Sequence, residues 1–170
     1  MMSLDNFFNK VETEEVEIEE YEDEYPEYDT LYINDFGDGD TFKGEPRMSE
    51  IYEKTFEDKF TGREITQNNI KLKVINHEDE EVFEAGIKLK TNADVQDIWK
   101  KSKLGTLIWS IAAANNTPIK GNKLTNFNIK EFSEEINNMS NINIVIVSDE
   151  FENRSGEIIE YNLVKVTQIN

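Results

Sequence analysis

The most regular pattern in the chain is the period-two alternation of Ile70 to Ile75 (IKLKVI) and Val82 to Lys90 (VFEAGIKLK), which flank the polar stretch Asn76 to Glu81. Successive side chains of a strand point to opposite faces. The two runs therefore predict a hairpin with Ile70, Leu72, Val74, Phe83, Ala85, Ile87 and Leu89 on one face. Lys71, Lys73, Lys88 and Lys90 fall on the other. Ile142 to Val147 (INIVIV) and Ile158 to Thr167 (IIEYNLVKVT) predict a second hairpin, with Gly156 in its turn. Apolar residues on both faces of INIVIV place that strand near the centre of a sheet.

Weaker patterns fill the remainder. Thr30 to Asn34 reads as a short strand ended by the turn-rich DFGDGD at Asp35 to Asp40, and the glycine and proline at 44 and 46 read as loop through Ser49. Ile51 to Phe60 alternates with Tyr52, Lys54 and Phe56 on one side. Asp94 is placed to cap a helix beginning VQDIWKK, and Ser102 to cap or continue one through LGTLIWSIAAANN, where Leu104, Leu107, Ile108 and Ile111 recur at helical spacing. Trp99 and Trp109 then become packing residues. NNTPIKGNKLTN, with Pro118 and Gly121, ends the helix, and a short helix over Ile129 to Asn137 follows from Phe132 and Ile136 four apart. The expected class is mainly β with helices, α+β.

Charge divides this chain of 170 residues unevenly. The first forty positions hold fifteen acidic residues against one lysine, −14 of the total −18, most of them in ETEEVEIEEYEDEYPEYD from Glu12 to Asp29. Such a segment repays too little ordering entropy to fold alone. Residues 1–29 are therefore expected to form an acidic, flexible arm and residues 30–170 a single β domain of ordinary size. Val11, Val16, Ile18, Tyr21, Tyr25 and Tyr28 interrupt the acids, a mixture suited to a basic, partly apolar groove.

The chemistry of catalysis is sparse. With no cysteine and one histidine, His77, thiolate metal sites, disulfides and histidine-rich zinc sites are excluded. Asp35-Phe36-Gly37 spells a kinase magnesium tripeptide without the loops that give it meaning. Asp35, Asp38 and Asp40 lack the spacing and closing glutamate of a calcium loop. His77 has no serine or cysteine partner pattern. No enzyme activity, cofactor or metal is expected. Nothing in the N-terminus has the form of a signal peptide and no apolar run approaches a membrane span, so a cytoplasmic protein is expected.

A lysine-faced hairpin with nearby aromatic residues supplies the parts of a single-stranded nucleic acid site, cations for phosphates and flat rings on which bases stack. The layout resembles the small OB-fold single-stranded-DNA-binding proteins of phages and mobile elements. The likeness lies in FKGEPRMSEIYEKTF, in IKLKVI with VFEAGIKLK, in SKLGTLIWSIAAANN, and in NINIVIV with GEIIEYNLVKV, over about residues 40 to 168. It implies an OB-like antiparallel barrel or curled sheet with a mid-chain helix, acting without catalysis in replication or recombination in a bacterial host cytoplasm. Lys71, Lys73, Lys88 and Lys90 would meet phosphates, Tyr52 and Phe56 would meet bases, and Lys43, Arg47 and Lys54 would extend the path. The partner would be single-stranded DNA or RNA, with replication proteins or a basic protein engaged through the arm, and self-association compatible. Many such proteins end in an acidic tail with a terminal Phe; here the acids are at the other end, near Phe7 and Phe8. Two other classes fit the acidity: a protein-interaction module or DNA mimic that inhibits a nucleic-acid enzyme, and a small virion structural protein.

Overall fold

The structure, a computed structural model, describes residues 28–170; the arm expected over residues 1–29 lies almost wholly outside the described residues. Among the described residues nine strands and two α-helices follow one another: β1 (Asp29–Tyr32), a 3₁₀ turn (Ile33–Asp35), β2 (Thr41–Met48), β3 (Tyr52–Glu57), β4 (Glu64–Asn76), β5 (Glu81–Leu89), β6 (Val95–Trp99), α1 (Lys103–Ala114), β7 (Lys123–Asn128), α2 (Ile129–Asn137), β8 (Ile142–Glu152) and β9 (Ile158–Ile169). Seven strands make one mixed sheet in the order β1-β5-β4-β2-β8-β9, with β3 paired to β4 off this path, and β6 and β7 form a separate ribbon.

Alternation in β4 and β5 builds the inner face as the sequence predicts. Ile70 opposes Ile87, Leu72 opposes Ala85 and Val74 opposes Phe83, all buried. Ile144 and Ile146 of β8 and Val164 and Val166 of β9 join them, and the layer is covered by Leu104, Leu107, Ile108 and Ile111 of α1 and by Ile129 and Ile136 of α2. Ser102 caps α1, its hydroxyl accepting from the Gly105 amide at 2.9 Å. β8 lies between β2 and β9 in the sheet, the interior position that INIVIV predicts.

Three expectations are corrected. Residues 44–49 are not loop, because most of them belong to β2, which pairs with β8 over Thr41–Gly44 and with β4 over Glu45–Met48. Pro46 is accommodated because the β8 ladder has already ended at Gly44, so on that side no amide donor is required. The open side of Met48 is met instead by Asn137 at the end of α2, whose amide accepts from Met48 N–H at 2.7 Å and donates to Met48 C=O at 3.2 Å, as a neighbouring strand would. VQDIWKK is not helix; Val95–Trp99 is β6, paired with β7, where a loop was expected. The sheet is not purely antiparallel, since β1 runs parallel to β5.

Nor does the sheet close into a barrel. β5 and β9 approach without a ladder between them among the described residues, leaving a cavity of about 20 Å³ lined by Ala85, Gly86 and Ile87 on one side and Asn162, Leu163 and Val164 on the other. The seam is tied by Asn162, whose side-chain amide donates to the carbonyls of Ile33 and Phe36 at 3.0 and 2.9 Å. Among the described residues no helix is long and apolar enough to cross a membrane.

Candidate nucleic-acid interface

The pairing registers decide which of the expected site residues share a surface. Glu45, Arg47, Tyr52, Lys54, Phe56, Lys71, Lys73, Glu84 and Lys88 all lie on the sheet face opposite the core. Tyr52, Asn69 and Lys88 form one cross-strand row, and Arg47, Lys73, Glu84 and Tyr32 form another. Lys43 continues the face on β2 opposite Asn143. Both helices contribute to the inner layer. Eight of the nine expected residues therefore meet on one surface. Lys90 lies just past the end of β5 and instead borders a groove shared with the β6–β7 ribbon.

Aromatic placement follows the same register. Tyr52 reaches diagonally across β4: the Lys71 ammonium lies 5.8 Å from its ring centroid, and its hydroxyl would be 3.8 Å from a Cβ on Gly86. Gly86 thus leaves bare the patch over which the ring lies. Phe56 and Ile65 are cross-strand partners near the tip of the β3–β4 hairpin and are both partly exposed, while Phe60 in the turn is almost wholly exposed. A second hairpin end, β8–β9, exposes Phe151, Ile158 and Ile159, with Phe151 against Tyr161 at 5.8 Å between centroids and Lys103 Nζ 6.0 Å from the Tyr161 ring.

The cationic stripe is partly neutralised, a feature the lysine spacing alone does not reveal. Glu84 sits between Lys71 and Lys73, at 4.0 and 3.5 Å. Glu45 pairs with Arg47 and meets His77 Nε2 at 3.1 Å, and the other ring nitrogen of His77 lies 3.2 Å from the Tyr28 hydroxyl. Pairs at a solvent-facing sheet surface contribute about 0–1 kcal/mol each, and the half-exposed Lys71 and Lys73 leave their ammonium groups within reach of a polyanion. Lys43, Lys54 and Lys88 are exposed on the same surface.

The acidic turn has a structural use. Asp35 accepts from the Tyr32 amide, Asp40 from the Gly37 amide and Asp38 from the Ser148 amide of β8, so each carboxylate fixes backbone in or beside the 35–40 turn. No group of three or more metal-ligating side chains occurs among the described residues.

Trp99 is the residue whose placement departs most from the packing role expected of both tryptophans. Trp109 is buried, its indole N–H donating to Gly121 C=O at 3.3 Å, as expected of a packing residue. Trp99 is 44% exposed on β6, with Lys123 Nζ 4.9 Å from its ring centroid. The structure buries Gln96 and Ile98 and exposes Val95, Asp97 and Trp99, an alternation that the residue types V-Q-D-I-W do not show in the sequence. Comparison with protein-family models, curated proteins and solved structures finds no match to this chain.

Proposed function

We propose that this protein binds single-stranded DNA without catalysis, the strand running over the outer face of β4 and β5. The observation that carries the reading is the register that sets Lys43, Arg47, Lys54, Lys71, Lys73 and Lys88 on the same face of the sheet as Tyr52 and Phe56. Cations there follow the phosphates, and the rings offer stacking surfaces that any base can use. RNA would be held by the same contacts.

Connectivity supports an OB-like reading. Taken in chain order, β2, β4, β5, β8 and β9 are arranged β5-β4-β2-β8-β9, with α1 between the third and fourth. The seam between β5 and β9 lies where such a barrel would have its closing ladder. In OB-folds the face of the second and third strands and the loops joining strands one to two and four to five hold oligonucleotides. Here these correspond to the lysine face, the β3–β4 hairpin end with Phe56 and Phe60, and the β8–β9 end with Phe151 and Tyr161.

The acidic arm gives the reading a regulatory part. Eleven acidic residues precede Tyr28, and the chain enters the domain beside His77 on β1, the neighbour of β5. Twenty-seven residues can extend roughly 90 Å, ample to lie over the lysine face as a phosphate mimic. Fluorescence anisotropy of labelled oligothymidine, with the full chain and with a variant beginning at Glu27, tests both parts. Expected are salt-sensitive binding by both proteins and tighter binding by the shorter one, most visible at low salt. Absence of binding by either protein refutes the DNA reading, and equal affinities refute the guarding arm. The acidity of the chain favours a second reading, a module that engages a basic protein through the arm; it predicts loss of that partner when the arm is removed, and no affinity for the oligonucleotide.

A further inference from the structure

Lysine is concentrated in one stretch of this acidic chain. Residues 88–123 contain Lys88, Lys90, Lys100, Lys101, Lys103, Lys120 and Lys123, with Asp94 and Asp97 as the only acidic residues, a local charge of +5 in a protein of −18. The stretch begins on the outer face of β5 at Lys88 and continues through the β6 strand of the ribbon. Lys90, Thr91, Asp97, Trp99 and Lys123 line an open groove of about 490 Å³, and Trp99 presents its indole there beside exposed Val95. Lys123 is held over the ring by its pairing with Asp97 at 3.6 Å, which also accepts from the Asn126 amide at 3.2 Å.

A large ring exposed at this level on a strand, next to an ammonium, costs hydrophobic burial that the core could have used. A nucleobase recovers it: stacking covers the ring, and the neighbouring phosphates meet Lys90 and Lys123. We infer that Trp99 is a base-stacking platform that carries a bound strand beyond the end of β5 onto the β6–β7 ribbon, with Lys90 and Lys123 as its phosphate contacts. The inference rests on the single-stranded DNA reading and adds a second station to its path. Continuity decides in favour of nucleic acid over a protein partner, since Lys88 on the sheet face and Lys90 at the groove are two residues apart on one strand end.

Titration of the full chain with oligothymidines of increasing length, followed by both tryptophan emission and anisotropy, tests it. Long oligothymidine is expected to quench emission from the wild-type protein, and Trp99→Phe, which retains only the buried Trp109, is expected to abolish the quenching. Trp99→Ala should weaken binding of long oligothymidine about five- to hundredfold, while oligothymidine too short to pass Lys88 binds as before. Circular dichroism of the variants separates lost stacking from lost folding, and Lys123→Ala, which spares the ring, gives an independent reading through a shallower salt dependence. Tight binding of long oligothymidine with unquenched emission and unchanged Trp99→Ala affinity overturns the platform while leaving the sheet face intact. Absence of all oligothymidine binding overturns the platform together with the reading beneath it.

Discussion

Glu84→Gln is the most informative single change on the sheet face. The carboxylate lies between Lys71 and Lys73 at 4.0 and 3.5 Å, and the three side chains are 16%, 36% and 41% exposed. Glutamine keeps the shape and removes the charge that, on the proposed single-stranded DNA reading, competes with phosphate for both ammonium groups. For pairs this accessible the loss of stability is at most about 1 kcal/mol. On the proposed reading, the expected effect on binding is larger and has the opposite sign. For single strands the slope of log affinity against log salt steepens by about 0.7 for each additional phosphate neutralised. Release of one or both lysines therefore steepens it by about 0.7 to 1.4, and a fourfold dilution of salt then raises affinity by a further factor of about 3 to 7 relative to wild type. Anisotropy of oligothymidine between 50 and 200 mM salt, about the range over which such slopes are read, measures both quantities. An unchanged slope with unchanged affinity would refute the placement of the strand over Lys71 and Lys73, whatever else the protein binds.

Two further outcomes follow from the geometry. A Cβ on Gly44 would stand 2.3 Å from the Ile75 carbonyl oxygen, main chain that cannot rotate away, whereas one on Gly86 meets only the Tyr52 hydroxyl at 3.8 Å, and neither glycine has positive φ. Gly44→Ala should lower unfolding free energy in denaturant titrations by about 1–3 kcal/mol, and Gly86→Ala should raise it by up to about 1 kcal/mol; equal effects would contradict the close approach of β2 to β4. The Tyr161 phenol is held above its ordinary 10.0 by desolvation, then by the Asp149 carboxylate and the hydrogen bond it donates to Oδ2 at 3.3 Å. The folded state thus holds this proton more tightly, so its stabilising contribution is full below pH 10 and lost as pH rises through the folded-state value. Asp149→Asn should move tyrosinate absorbance to lower pH without restoring 10.0, because desolvation persists, and no movement would refute the coupling.

The legible parts of the fold were those governed by local periodicity. β4 and β5, α1 with its Ser102 cap, α2, and the β8–β9 hairpin repeat their apolar positions at the spacing of the element they form. β2 was illegible because Gly44 and Pro46 signal loop, and only the place where one ladder stops and the next begins makes them fit a strand. Val95, Ile98 and Trp99 carry helical spacing over too short a run to outweigh pairing with β7, so Trp99 was misplaced with them. The parallel partnership of β1 with β5 joins segments some fifty residues apart and has no local signature. Glu84 stood within reach of sequence reasoning: the alternation that sends Lys88 outward sends Glu84 outward too, beside Lys73.

The divided pairing of β2 also bears on how the chain finds its fold. The β4–β5 and β8–β9 hairpins are built from near neighbours in sequence and can form early, but the ladder that joins them runs through a strand whose partners lie about thirty residues away on one side and about a hundred on the other. Closing the longer loop is the slow, entropically costly event that high contact order imposes. Until β2 has bridged them, no ladder joins the two hairpins, and their inner strand edges are open to pairing with other chains. Continuity of the seven-stranded sheet thus depends on one eight-residue strand taking up its two partners, and the time this takes is the time its neighbours' edges stay unpaired.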